Sequence, residues 1–240
     1  MKTLFTTLLS FCILSGFTQE HKMYDFVPEA TLVIGGSFQN FSGLNNRVEN
    51  LSQYKKLPGY MGTVELGWLK ARKRIVSVAG ITLGSSLSGD RHEKSSALSS
   101  AGVYAGIGYD VIGSKMITLY PMIGLGYEMY KAQFYRDNSG VDFDQVLQSA
   151  AVRNSISSVS FKNGFFTYRA GAGLALHSKK YPSNSIGLQA AYVGSFSSNA
   201  WRSNENQDLM NAPEDKVSKI YVGIVLAFSP WEMMKGMHGK

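Results

Sequence analysis

The sequence predicts an all-β fold, a closed antiparallel eight-stranded transmembrane β-barrel. Three observations carry that expectation. Eight segments alternate apolar with small or polar residues at a period of two. The connections between them alternate between short and long. And the chain opens as a secretory signal opens, with Lys2 before an apolar run at residues 4–14 and then Ser15, Gly16 and Thr18.

The eight segments are residues 31–39, 60–69, 74–87, 101–111, 116–131, 165–176, 185–197 and 217–228. In the second, Val64, Leu66 and Trp68 share one face and Thr63, Glu65 and Gly67 the other. The fourth sets Val103, Ala105, Ile107, Tyr109 and Val111 against Tyr104, Gly106, Gly108 and Asp110. The fifth sets Ile117, Leu119, Ile123, Leu125, Tyr127 and Met129 against Thr118, Tyr120, Gly124, Gly126 and Glu128. The sixth, seventh and eighth follow the same rule, with Arg169, Gln189 and Lys219 on the face opposite the apolar one.

This pattern has a physical cause. In lipid every backbone donor and acceptor needs a partner, so a spanning sheet must close on itself. Side chains then alternate between lipid and lumen, and a narrow eight-stranded lumen favours glycine, small residues and paired charges. A soluble secreted barrel of the lipocalin type would invert the faces, with bulky apolar residues inside. The charged face is also the glycine-rich one, which favours the membrane arrangement, as does the asymmetry of the connections.

Short connections are expected at residues 70–73, 112–115 and 177–184, and longer ones at 40–59, 88–100, 132–164 and 198–216. That places both chain ends on the periplasmic side. The longest loop has room for a short helix around residues 143–152 or for an extension of the sixth strand. Tyr60, Trp68, Tyr109, Tyr127, Tyr130, Tyr168, Phe196 and Phe228 lie near strand ends, where headgroup-level belts would put them.

The 240 residues divide into a signal over 1–19, a barrel over 20–229 and a short periplasmic tail over 230–240. Cys12 is the only cysteine and lies in the expected signal. Phe11 before it does not suit lipidation. The mature chain then has no thiol for a disulfide, a metal or a covalent intermediate. No metal-ligand spacing stands out and no cofactor is expected. The formal net charge of +7 suits an anionic surface. Export argues against nucleic acid and points to outer-membrane lipids and lipopolysaccharide.

The final strand, Tyr221-Val222-Gly223-Ile224-Val225-Leu226-Ala227-Phe228, resembles the C-terminal signal of small outer-membrane barrels. The segment Tyr120-Pro121-Met122-Ile123-Gly124-Leu125-Gly126-Tyr127-Glu128 is also similar to theirs. The family meant is the one typified by OmpA's membrane domain and OmpX, and the resemblance covers nearly all of the mature chain. It implies that Tyr221, Gly223, Leu226 and Phe228 are read by the barrel-assembly machinery. The chain departs from the family in continuing beyond the aromatic Phe228, and Tyr221 fills a slot usually polar.

Glu65, Glu128, Arg169 and Lys219 are inward charges from four different strands and are expected to meet as a lumenal ion-pair network. The resemblance implies that such clusters plug or gate small barrels. Barrel enzymes that act on lipid use histidine with serine and a carboxylate. Of His21, His92, His177 and His238, only His92 lies in an expected external loop, near Asp90, Glu93 and Ser95. His177 is expected at a solvated turn. Trp201-Arg202 and Tyr54-Lys55-Lys56 are candidate contact points for an unknown extracellular ligand. The function these features support is a non-enzymatic barrel for envelope integrity, adhesion or surface binding. A barrel enzyme acting on lipid A or phospholipid, and a narrow pore or secretion-accessory barrel, stand as alternatives.

Overall fold

A computed structural model describes residues 29–90, 93–178 and 184–229. The expected signal, Cys12, His21, His92, His238 and the expected tail lie outside the described residues.

Eight long strands form the wall. They are β1 (Glu29–Gln39), β2 (Tyr60–Arg72), β3 (Ile75–Ser88), β4 (Ser95–Tyr109), β5 (Ile117–Tyr135), β6 (Val159–His177), β7 (Ser185–Ser195) and β11 (Ser218–Phe228). Each is antiparallel to its neighbour in the order β5-β4-β3-β2-β1-β11-β7-β6, and β5 pairs with β6 to close the barrel. The seam is the β1–β11 ladder, where Ala30 faces Phe228 and Gln39 faces Lys219. Three two-residue strands lie between β7 and β11: β8 (Asn199–Ala200), β9 (Arg202–Ser203) and β10 (Glu214–Asp215). A short helix, α1 (Ser42–Glu49), lies between β1 and β2.

The faces fall where alternation puts them. Leu66, Trp68, Ile81, Val103, Ile107, Ile123, Leu125, Leu188 and Ile224 are exposed on the outer wall. Glu65, Thr82, Glu128, Arg169, Gln189 and Lys219 are buried inside. A polar interior within an apolar exterior is the reverse of a lipocalin. Tyr130 is the exception among the expected belt aromatics. It stands two residues beyond the inward Glu128, so parity turns it into the interior, where it is buried.

The wall is uneven, and this corrects two expected loops. β3 and β4 stay paired out to Ser88–Ser96, so strands occupy much of what reads as a loop at 88–100. Likewise β5 and β6 pair from Ile117–Leu176 out to Phe134–Val159. The 132–164 connection therefore contains both expected features, an extension of β6 and the helices α2 (Phe143–Gln148) and α3 (Ala150–Ile156). The small residues Ser95, Ser96, Ser99 and Ser100 carry weak strand preference, and pairing to β5 holds them extended.

At the short-connection end, Lys73 turns the chain between β2 and β3 with φ 57°, and Gly113 turns it between β4 and β5 with φ 68°. Asp110 braces the second turn by accepting from the Ile112 and Gly113 amides, each at 3.1 Å. His177 is not merely solvated. Its Nε2 lies 2.9 Å from Thr118 Oγ1 across the β5–β6 ladder.

Candidate functional site

The interior is filled in three tiers. Nearest the short turns, Leu69, Val76, Val78, Tyr120 and Met122 form an apolar cluster. Gly173 makes room for it, because a Cβ there would collide with the Tyr120 ring.

The middle tier holds the charges. The Arg169 guanidinium donates to Glu65 Oε1 at 2.9 Å and to Oε2 at 3.4 Å. Thr82 Oγ1 also donates to Glu65 Oε1, at 3.1 Å. The guanidinium carbon sits 4.0 Å from the Tyr104 ring centre and 5.2 Å from that of Tyr221. Lys219 Nζ donates to Glu128 Oε2 at 2.8 Å and to Tyr130 Oη at 3.2 Å. Tyr130 Oη in turn donates to the same Glu128 oxygen at 2.5 Å.

Topology explains what these pairs do to the lumen. In the closed order, β2 and β6 have three strands between them on either side, so they are diametrically opposed. The Glu65–Arg169 pair therefore crosses the full bore. Glu128 on β5 and Lys219 on β11 are separated by β6 and β7 on one side, so the second pair also runs from wall to wall. Charges removed from water at this depth need such partners, because an unpaired one costs several kcal/mol, roughly 3–5 when a partner is removed.

The outer tier is a second hydrophobic core, and sequence reasoning missed it. Phe41, Leu44, Val48 and Leu57 come from the β1–β2 loop, and Trp201 from the β7–β11 segment. They pack on Leu98, Tyr130, Ala132, Phe134 and Phe165, inward residues of β4, β5 and β6. Phe41 meets Tyr130 at 5.0 Å and Trp201 at 5.4 Å, both edge to face. Leu44 and Val48 reach this core because α1 puts residues four apart on one face. That spacing was the one available signal.

Asp215 ties the cap together. Its carboxylate accepts from the Gly43 amide at 2.7 Å, the Leu44 amide at 2.9 Å and Trp201 Nε1 at 2.8 Å. The first two are donors at the N-terminus of α1, where a carboxylate is favoured by the helix dipole. Gly43 is required by the approach, since a Cβ would collide with the Glu214 carbonyl oxygen. Trp201 is thus 1% exposed and structural, not the contact point the sequence suggested. Arg202 beside it remains exposed and pairs with Asp208 at 2.8 Å. Tyr54 is half-buried against the cap, edge-on to Phe134, while Lys55 and Lys56 are exposed.

Of the residues expected to be read in assembly, Tyr221 and Gly223 point inward and are buried, Leu226 is exposed and Phe228 is half-buried. Among the described residues no group of three or more histidines, cysteines or acids could hold a metal.

No family model and no curated protein sequence matches this chain. It is similar to the solved structure of Ail, the attachment invasion locus protein of Yersinia pestis, at 16% identity and a TM-score of 0.45, covering 85% of this chain and 100% of that one. It is similar to a major outer membrane protein from Thermus thermophilus at 10% identity and a TM-score of 0.45, covering 83% and 99%. It is similar to Neisserial surface protein A at 10% identity and a TM-score of 0.44, covering 84% and 97%. At these identities and scores the likeness assigns no role.

Proposed function

We propose that the chain is a non-enzymatic integral outer-membrane β-barrel of the small OmpA or OmpX type. In this reading the leader is removed on export, the final strand directs assembly, and both ends of the barrel chain face the periplasm. The role is to present an ordered surface cap for envelope integrity, adhesion or binding of an extracellular ligand.

The observation that carries this reading is the three-tier interior. Two wall-to-wall ion pairs cross the bore, and the loops above them fold inward onto their own hydrophobic core. Glu65, Glu128, Arg169 and Lys219 serve to plug and rigidify the barrel. A rigid, closed scaffold spends its variable surface on loops, where binding residues are most often found.

The experiment compares cells lacking the chain with cells given back either the wild type or a barrel whose 40–59 and 196–217 loops are replaced by short turns. The expected result is that both barrels insert, while only the wild type restores surface attachment and resistance to detergent. Full restoration by the loopless barrel would place the role in the wall and overturn the proposal.

A further inference from the structure

A cavity of about 660 Å³ opens on the outer wall at the long-loop end. Its lining includes Lys131, Lys162, Arg202, Tyr127 and Met129. Register explains how three cations come together. Lys131 of β5 is the direct partner of Lys162 of β6, and Lys162 is the direct partner of Arg202 of β9. β9 takes over the edge of β6 beyond the end of β7 pairing, so the row continues across three neighbouring strands.

Like charges directly opposite in a ladder repel. Of the three, Arg202 is compensated, by Asp208 at 2.8 Å. Among the described residues neither Lys131 nor Lys162 has an ion-pair partner, and both are half-buried instead of extended into solvent. Asn163 and Asn199 hold the arrangement, since Asn163 Nδ2 donates to the Asn199 carbonyl at 2.8 Å and fixes the β7–β11 segment against β6.

What lies beneath the row identifies the occupant. Two residues down the strands stand Ala101 and Met129, and four down stand Val103, Tyr127 and Phe166, all on the outer apolar wall. At strand rise, four residues are about 13 Å along the strand. Uncompensated cations directly above a continuous apolar surface, at the end carrying the long loops, match a lipid whose anionic headgroup sits over its acyl chains.

We infer that the Lys131–Lys162–Arg202 row binds the phosphorylated headgroup of an outer-leaflet lipid, whose acyl chains lie on Met129, Tyr127, Phe166 and Val103. The inference rests on the outer-membrane reading above and names a ligand class for one face of that barrel. Asp208 keeps Arg202 oriented at the edge of the cavity, and the two lysines supply the net positive charge.

The test uses the full mature chain in phosphatidylcholine nanodiscs doped with equal traces of diphosphorylated lipid A and its dephosphorylated form. Native mass spectrometry reads which lipid stays bound. Two lysines at a membrane surface imply enrichment of the phosphorylated lipid by about thirty-fold. Lys131→Ser with Lys162→Ser should abolish it, and the charge-matched Arg72→Ser with Lys115→Ser, exposed at the short-connection end, should leave it intact. Survival of the enrichment in the first variant, or its equal loss in the second, would overturn the site. So would displacement by inorganic phosphate or by a sulfated polysaccharide at a concentration equal to the lipid. Faster migration of the unheated chain reports insertion in the same samples. Insertion without enrichment overturns this inference alone, whereas failure to insert overturns the outer-membrane reading beneath it.

Discussion

Asp215 holds the indole of Trp201 at 2.8 Å and, with the same carboxylate, closes the N-terminus of α1 from a different loop. Two long excursions of the outer end are thereby one unit. A loop that would otherwise carry unsatisfied amides becomes the lid of a hydrophobic core.

Asp215→Ala should loosen that lid without unfolding the wall. It strands an indole donor and two helix amides, at a cost of about 1–3 kcal/mol for the buried donors. Limited proteolysis of the folded barrel should cut within residues 40–59 faster in the variant, while the unheated gel mobility stays that of wild type. Unchanged cleavage would mean the cap is held by its apolar contacts alone.

Arg169→Ala leaves Glu65 as a buried, unpaired carboxylate. It should destabilise the barrel by roughly 3–5 kcal/mol, whereas Glu65→Leu with Arg169→Met should recover most of the loss. Denaturant midpoints in lipid bilayers provide the comparison. Equal destabilisation of the single and double variants would show that the pair does not act as a pair.

Leu125 is exposed on the apolar outer wall, near the middle of β5. Leu125→Arg should cost about 2–4 kcal/mol in a bilayer, the depth-dependent penalty for a lipid-facing cation. The same change on a water-facing wall would be close to neutral. A neutral result would place this face in water.

Gly173→Val should be poorly tolerated, because its side chain would enter the space of the Tyr120 ring. Overpacking of this sort costs about 1–3 kcal/mol. A lowered denaturation midpoint is expected, and pairing the change with Tyr120→Ala should restore much of it. No rescue would mean that the strain lies in the β6 backbone.

How much of this was legible follows from what each feature depends on. The two faces could be sorted because alternation is local: Glu65 lies between Val64 and Leu66, so strand geometry puts it on the opposite face, and the glycine-rich make-up of that face together with the uneven connections marked it as the inner one. The four inward charges could be named for the same reason, but not who pairs with whom. That Arg169 takes Glu65 and Lys219 takes Glu128 depends on stagger around the closed wall. The cap was hidden because Phe41, Leu57 and Trp201 sit in segments with no sustained period, so nothing in their spacing marks them as core. The Lys131–Lys162–Arg202 row was hidden too, since its members are brought together only by register. Tyr130 departs from the expected belt for a simpler reason: parity with Glu128, not nearness to a strand end, decides which face a strand residue takes.

The spanning of a membrane by a closed barrel with its apolar face in lipid underlies each of these outcomes. Its most direct test is gel migration of the chain recovered from carbonate-washed membranes, unheated against boiled. The chain should stay with the washed membranes and run faster unheated, as a compact barrel that boiling unfolds. Release into the wash, with the same mobility before and after boiling, would contradict it.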